Sequence, residues 1–298
     1  MARSFTLRPP AKINLVLRVG PRRTDGYHEV QTLLQTIALS DRLVATPRRG
    51  PFTLVVRGTG VPGDRTNLVW RAAERLWRVL DRSGEPRDVH LTLEKQVPAG
   101  AGLGGGSADA AAALVVLNRI WDGRLPVSEL ARLGTELGAD VPFFLMGGTA
   151  LGVGRGDDLY PVDDVRRLGV IILKPAFGVS TADAYRWLDE DGPPRPHDGG
   201  GVGPTAAVDV GWLGRNLVLV NDLEAPVSRR HRHVAEMVAA CRREGAWGAG
   251  MTGSGSAVFG LFPEPAARAA ARRLRRPEWL VVVTRTLTRR EARQRIGV

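Results

Sequence analysis

The segment Pro98–Leu114 reads PAGAGLGGGSADAAAAL, and five of the seven positions from Gly100 to Gly106 are glycine. Bare backbone at that density lets several N–H groups converge on an anion with no side chain in the way. The alanine-rich run that follows predicts a helix opening at Ser107, Ala108 and Asp109. Its first turn adds unpaired N–H groups and a partial positive charge. A strand, such a loop and such a helix make a phosphate cradle. The plain alternative is a tight turn where backbone crosses backbone. The loop is not of the G-x-x-x-x-G-K-[ST] type, because no lysine precedes Ser107. A formal G-x-G-x-x-G exists at Gly100, Gly102 and Gly105, yet the acidic residue expected about 20 positions on at a strand end is missing.

The second set of candidate groups is an acid and an amine. The chain holds 42 basic residues, of which only Lys12, Lys95 and Lys174 are lysine. Lysine is a compact point charge on a flexible stem, chemically distinct from the arginine used elsewhere. Lys12 and Asn14 are two apart in a strand-like stretch and share one face. Asp140 stands directly before Val141, Pro142, Phe143 and Phe144. A carboxylate there risks desolvation, which is costly unless a cation pairs with it. Lys12 is a suitable partner. A structural salt bridge between lobes is the alternative. A further Gly/Ser loop, GAGMTGSGSAVFGLF, covers residues 248–262.

These groups need elements to hold them. Alternation predicts strands within 5–19, 28–39, 42–48, 52–58 and 88–95. The apolar spacing over 66–80 predicts a helix capped by Thr66. Helices are also expected over 107–121, over 127–138 from a Ser cap to Gly138, over 180–188, over 227–245 and over 264–276. Residues 148–157 predict a strand entering a turn, and 169–175 a central strand. The stretch 189–207 is Gly/Pro-rich and reads as a surface loop. Strands lead and helices follow in each half, which predicts an α+β protein of two lobes, 1–153 and 154–298.

Composition narrows the class. At 298 residues, 43% hydrophobic and 24% charged, the chain reads as globular. It holds no apolar run near the roughly 20 residues that span a bilayer and no signal-peptide pattern. Its single cysteine, Cys241, excludes an internal disulfide and a cysteine-built zinc site. A cytoplasmic setting is expected. The net charge of +11 is mostly arginine on expected helix faces, and aromatic content of 6% is poor for a nucleic-acid surface. Neither a nucleic-acid nor a membrane partner is expected.

The loop Pro98–Ala108, the Lys12 segment, LGADVPFF (137–144) and the glycine stretch 248–260 together resemble the GHMP family of small-molecule kinases, over about residues 9–262. PAKINLVLRV, DGYHE and NDLE (221–224) resemble the branch whose acceptor is a cytidyl diphosphate of methylerythritol. The resemblance implies an N-terminal lobe like the second domain of ribosomal protein S5, a ferredoxin-like C-terminal lobe, and a cleft for ATP and a small-molecule acceptor. It implies that the γ-phosphoryl group moves to the tertiary 2-hydroxyl of the acceptor. Lys12 and Asp140 would be catalytic, Asp140 either taking the proton or only orienting the hydroxyl. ATP would lie on Pro98, Ala99, Gly100, Ala101, Gly102, Leu103, Gly104, Gly105, Gly106, Ser107 and Ala108. Mg2+ would ride on the ATP phosphates, with Ser107 as its protein contact or else as a plain helix cap. Adenine would meet Asn67 and Lys95, unless Lys95 is a strand-end surface charge. Tyr27 and Tyr185 would sandwich cytosine, His28 would read its edge, and Asn14 would lie near the erythritol hydroxyls. Gly253, Ser254 and Gly255 would line the erythritol-diphosphate side, with Thr252 less securely placed. Thr181 would approach the ribose or cap its helix. Asp109 departs from the amide expected there, because an acid near phosphates repels them.

Overall fold

The computed structural model describes residues 4–58, 60–192 and 219–298. Two sheets build the N-terminal lobe, the second of them taking both its edge strands from beyond residue 153. The first has the order β1 (Phe5–Leu7), β4 (Arg42–Pro51), β6 (Arg87–Glu94), β5 (Thr53–Arg57). The second has the order β10 (Val220–Asn221), β2 (Pro10–Arg22), β3 (His28–Ser40), β7 (Thr149–Val153), β8 (Asp158–Pro161). Strands β3 and β4 are separated only by Asp41, so the chain passes from one sheet to the other at a buried aspartate. The expected strands are present. Arg8 and Pro9 divide β1 from β2, and Pro10, which lacks an N–H, stands at the first position of β2.

Four helices cover the sheets: α1 (Leu68–Val79), α2 (Gly105–Ile120), α3 (Val127–Leu137) and the short α4 (Val141–Met146). The apolar face of α1 (Val69, Ala72, Ala73, Leu76 and Trp77) is buried as its spacing requires. Its cap is Asn67, not Thr66: the Asn67 side chain accepts from Val69 N–H at 2.9 Å, whereas the Thr66 hydroxyl turns back to Asp64. Helix α3 likewise starts at Pro126 with no side-chain cap, although it ends at Gly138 as expected. Helix α2 is buried on nearly every side, so its run of alanines is a packing solution, letting α1 and the sheets approach closely.

The C-terminal half is one antiparallel sheet, β11 (Gly248–Met251), β12 (Val258–Phe262), β9 (Gly169–Pro175), β13 (Trp279–Arg285), with β9 in the interior. Its helices are α5 (Thr181–Asp191), α6 (Glu224–Arg230), α7 (His233–Arg243) and α8 (Glu264–Arg273). In chain order the strands lie 2-3-1-4, the ferredoxin-like arrangement. The single helix expected over 227–245 is two, because the chain leaves helical geometry at His231 (φ −134°, ψ 79°). Of the loop expected over 189–207, residues 189–191 belong to α5 and 193–207 lie outside the described residues. The last helix, α9 (Arg289–Ile296), packs on α4 and α2 of the N-terminal half.

Candidate active site

A cavity of about 1360 Å³ lies between the halves, and both glycine loops open onto it. The loop over 100–106 is shaped by close approach. Gly102 (φ +73°) touches the C-terminal loop, where a Cβ would meet Thr252 O at 2.1 Å. Gly104 (φ +71°) is the left-handed residue before α2, and a Cβ there would meet Phe144 at 2.8 Å and Lys12 Cγ at 3.0 Å. No residue with a side chain fits either place. The helix therefore starts at Gly105, two residues earlier than its alanines suggest. The N–H groups of Gly105, Gly106 and Ser107 form its first turn, where no carbonyl precedes them. Pro98 through Ser107 all line the cavity, but Ala108 does not: it is fully buried and its N–H donates to Gly104 O at 3.0 Å. Ser107 is not the helix cap, and its side chain lines the cavity.

Lys12 is fixed from two directions. Its backbone N–H donates to Leu103 O at 3.0 Å, stitching β2 to the phosphate loop. Its ammonium donates to Asn14 Oδ1 at 2.6 Å, which is what two same-face residues of one strand permit. Asn14 is in turn held by Thr32, accepting at 2.8 Å, and by Thr252, whose hydroxyl donates at 3.2 Å and accepts the Asn14 N–H at 3.1 Å. Lys12 Nζ lies 3.8 Å from Asp140 Oδ2. Burial pushes the Lys12 ammonium below the usual lysine range, and Asp140 opposes that shift. The side chain of Asp140 is 38% exposed, so the desolvation expected from its apolar neighbours does not occur. The chain turns at Asp140 so that Val141, Pro142, Phe143 and Phe144 go into the core as α4 while the carboxylate faces the cavity. Asn14 is committed to this network, which makes it a positioning group for Lys12.

The motif NDLE, to which the sequence assigns no role, is the strut of the second loop. Asn221 Nδ2 donates to Met251 O at 2.8 Å and to Gly253 O at 2.9 Å. Glu224 accepts Met251 N–H at 2.7 Å, and Asp222 accepts Val19 N–H at 2.8 Å. The loop so held puts Gly253 and Ser254 on the cavity wall, and the Ser254 and Thr181 hydroxyls meet at 3.1 Å. The cap of α5 is Ser180, not Thr181. Gly255 does not reach the cavity wall; a Cβ there would meet Met251 Sδ at 2.7 Å, so it faces β11.

Tyr27, His28 and Tyr185 share one end of the cavity. His28 stacks on Tyr185 with centroids 5.1 Å apart, and its Nε2 bonds Asp189 at 2.9 Å. Burial, with Asp140 adding to it, pushes the Tyr185 hydroxyl up to about 12. Tyr27 is 60% exposed, with the Arg155 guanidinium 5.3 Å over its ring. Asp189 and Arg155 were not legible in the sequence: both sit in turn or helix-end stretches with no motif.

Of the two residues expected at adenine, Lys95 lines the cavity and Asn67 does not. The Asn67 amide caps α1 and donates to Pro62 O at 2.7 Å, and it does not line the cavity. Lys95 is not a surface charge; it lines the cavity. It lies under the loop, bonded to Asp41 at 2.5 Å and to Asp109 at 2.7 Å. Asp41 also accepts the backbone N–H of Gln96 and, at 2.8 Å, that of Val97. Burial alone would lower the Lys95 ammonium, but Asp109 and Asp41 together hold it above the usual range. Burial raises Asp109 well above the carboxylate range, and Lys95 offsets only part of that. The acid at 109 thus faces a cation beneath the loop.

Comparison with known proteins agrees with this geometry. Residues 67–148 match the GHMP kinases N terminal domain and residues 205–277 the GHMP kinases C terminal domain. A 4-diphosphocytidyl-2-C-methyl-D-erythritol kinase of Pelotomaculum thermopropionicum is 43% identical over 94% of this chain and 97% of its own. One of the same name from Moorella thermoacetica is 44% identical over 95% and 99%. A crystal structure of 4-(cytidine 5'-diphospho)-2C-methyl-D-erythritol kinase superposes with a TM-score of 0.78 at 36% identity, covering 95% of this chain and 99% of that one. A homoserine kinase from Cytophaga hutchinsonii shares the fold alone, with a TM-score of 0.68 at 21% identity, covering 97% of this chain and 96% of its own. The chain belongs to the GHMP kinases and, within them, to the 4-diphosphocytidyl-2-C-methyl-D-erythritol kinase family.

Proposed function

We propose that the protein transfers the γ-phosphoryl group of ATP to the tertiary 2-hydroxyl of 4-diphosphocytidyl-2-C-methyl-D-erythritol, giving the 2-phosphate and ADP, a step of the non-mevalonate route to isoprenoid precursors. The observation that carries this reading is the meeting of Lys12 and Asp140 at 3.8 Å on the wall of the cavity that the 100–107 loop also lines. Phosphoryl transfer needs mostly positioning and charge stabilisation. The loop amides and the first turn of α2 hold the polyphosphate. Asp140 orients the acceptor hydroxyl and takes its proton as the oxygen bonds to the γ-phosphorus; the bond from that phosphorus to the β–γ bridging oxygen breaks, and ADP leaves. Lys12, steered by Asn14, steadies the charge on the acceptor oxygen.

Among the described residues, no group of three or more His, Cys, Asp or Glu is arranged around a metal. The cavity-lining Ser107 hydroxyl fits a cation carried chiefly by the nucleotide. Mg2+ on the ATP phosphates would neutralise part of their charge, with Ser107 as its protein contact. The cytosine is assigned to the wall made by Tyr27 and the His28–Tyr185 stack, and the acceptor's ribose and diphosphate to Thr181, Gly253 and Ser254. In this scheme the lobe 1–153 supplies phosphate loop, acid and amine, and the lobe 154–298 closes over the acceptor. ATP as cosubstrate favours a cytoplasmic setting. The test is ATP consumption with the cytidyl acceptor, mevalonate and homoserine side by side. Turnover with the first alone is expected; preference for either other acceptor overturns the substrate, and no turnover with any overturns the activity.

A further inference from the structure

A second cavity, about 560 Å³, lies where the two halves meet. Its walls carry Arg8, Arg167, Arg268, Arg285 and Arg295 against one carboxylate, Glu264. Two arginines are already paired, Arg167 with Glu264 at 3.1 Å and Arg285 with Glu291 at 3.0 Å. Arg8 and Arg268 have no ion pair among the described residues. The Arg295 guanidinium bonds only neutral oxygens, Ser40 Oγ at 2.9 Å and Ala38 O at 3.3 Å. Thr284 Oγ1, also on the wall, is buried without a hydrogen-bond partner. Burial pulls the Arg295 guanidinium down, the like charges of Arg285 and Arg8 add to that, and Glu291 opposes it.

Such a cluster is repulsive on its own and becomes favourable around an anion that offers several acceptors. Guanidinium groups bind phosphate oxygens through paired N–H donors. The volume lies in the range of small-ligand sites, about 300–1,000 Å³. We propose that this groove is a second binding site, distinct from the glycine-loop cavity, for a small diphosphate-bearing anion. Arg8, Arg268 and Arg295 hold its oxygens. The shared chemistry is the diphosphate group, whether free or as the head of a larger metabolite. The walls come from both halves: Arg8 precedes β2, Ser40 ends β3, Arg268 lies on α8 and Arg285 ends β13. A bound anion therefore ties the halves together. Gln96, also on the wall, is the residue whose N–H Asp41 accepts beneath the phosphate loop.

The test titrates inorganic pyrophosphate calorimetrically into the full chain, with the glycine-loop site saturated by a non-hydrolysable ATP analogue and ionic strength held constant with chloride. One additional saturable site is expected. The Arg8→Ala/Arg268→Ala double variant should weaken it by about tenfold or more per lost charge-assisted contact while kinase turnover is unchanged. Arg268→Glu alone, on the exposed side of α8, should abolish it, so the result does not depend on the double variant folding. Competition of the pyrophosphate site by an isoprenoid diphosphate, but not by inorganic phosphate at equal concentration, would identify a tailed diphosphate. Competition by neither leaves free pyrophosphate as the ligand. Absence of a saturable site beyond the nucleotide, or equal affinity in parent and Arg268→Glu, overturns the proposal.

Discussion

Lys12 and Lys95 flank the same glycine loop, both buried, and they differ in what surrounds them. Lys95 is gripped by two carboxylates at 2.5 and 2.7 Å, with 7% of its side chain exposed. Lys12 has one carboxylate at 3.8 Å and a neutral amide at 2.6 Å. The first ammonium is held above the usual range and the second falls below it. A lysine gripped at two of its three donors by fixed, buried anions is a strut. A lysine with incomplete charge compensation, facing a cavity, has donors to give to a ligand. Nearness to the loop in the fold does not separate the two roles; the number of facing carboxylates does.

The comparison breaks most visibly at Lys12. Lys12→Met should lower turnover by about two to four orders of magnitude, the range for losing a positioned catalytic group, with thermal stability nearly unchanged. Lys12→Arg should fail to restore it, because the planar guanidinium cannot occupy the space between Gly104, Gly253 and Asn14. Lys95→Met should do the reverse. It leaves two buried carboxylates without their cation and should cost about 3–5 kcal/mol of stability, read by denaturant unfolding. Whatever activity the folded fraction retains should show ordinary turnover.

Two smaller effects sharpen the contrast. The depressed Lys12 ammonium should give kcat/KM an alkaline limb below the usual lysine range, and that limb should vanish in Lys12→Met; a flat profile would detach Lys12 from the chemistry. Asp109 gives the smallest effect. Its carboxyl is raised in the folded state, so the folded state holds the proton more tightly than the unfolded chain. The stability this contributes is fully present below the unfolded value and is lost as pH rises through the raised one. Asp109→Asn removes that loss and one buried charge, leaving Lys95 and Asp41 as a neutral pair. Its unfolding free energy should therefore stay within about 1 kcal/mol of the parent at neutral pH and vary less with pH in the acid range.

Much of this site could be read from residue types. The glycine density at 100–106 announced a backbone-built anion trap, and the two-residue spacing of Lys12 and Asn14 announced a shared face. Lys12 and Asp140 could be paired because an aspartate before a phenylalanine pair called for a cation. What escaped were relations between distant segments. Asp41 lies alone between two strands, and only the folded sheets show that it reaches Lys95. The family resemblance implies Asn67 and Lys95 at adenine, but it does not show that capping claims the Asn67 side chain or that two buried carboxylates take two donors of Lys95. Asp140 was expected to be desolvated, but a turn into α4 separates its carboxylate from its apolar neighbours. The helix start at Gly105 is hidden in the sequence because Gly104, which ends the loop, has no propensity signal apart from its neighbours'; only the fold shows its left-handed φ and the lack of room for a Cβ beside Phe144 and Lys12.

The account rests on Asp140 standing at the acceptor hydroxyl. The direct measurement is single-turnover phosphoryl transfer by Asp140→Asn with ATP and the cytidyl acceptor both saturating. A rate about two to four orders of magnitude below the parent, with ATP affinity retained, is the predicted result. A folded variant that transfers the phosphoryl group at the parent rate would contradict it.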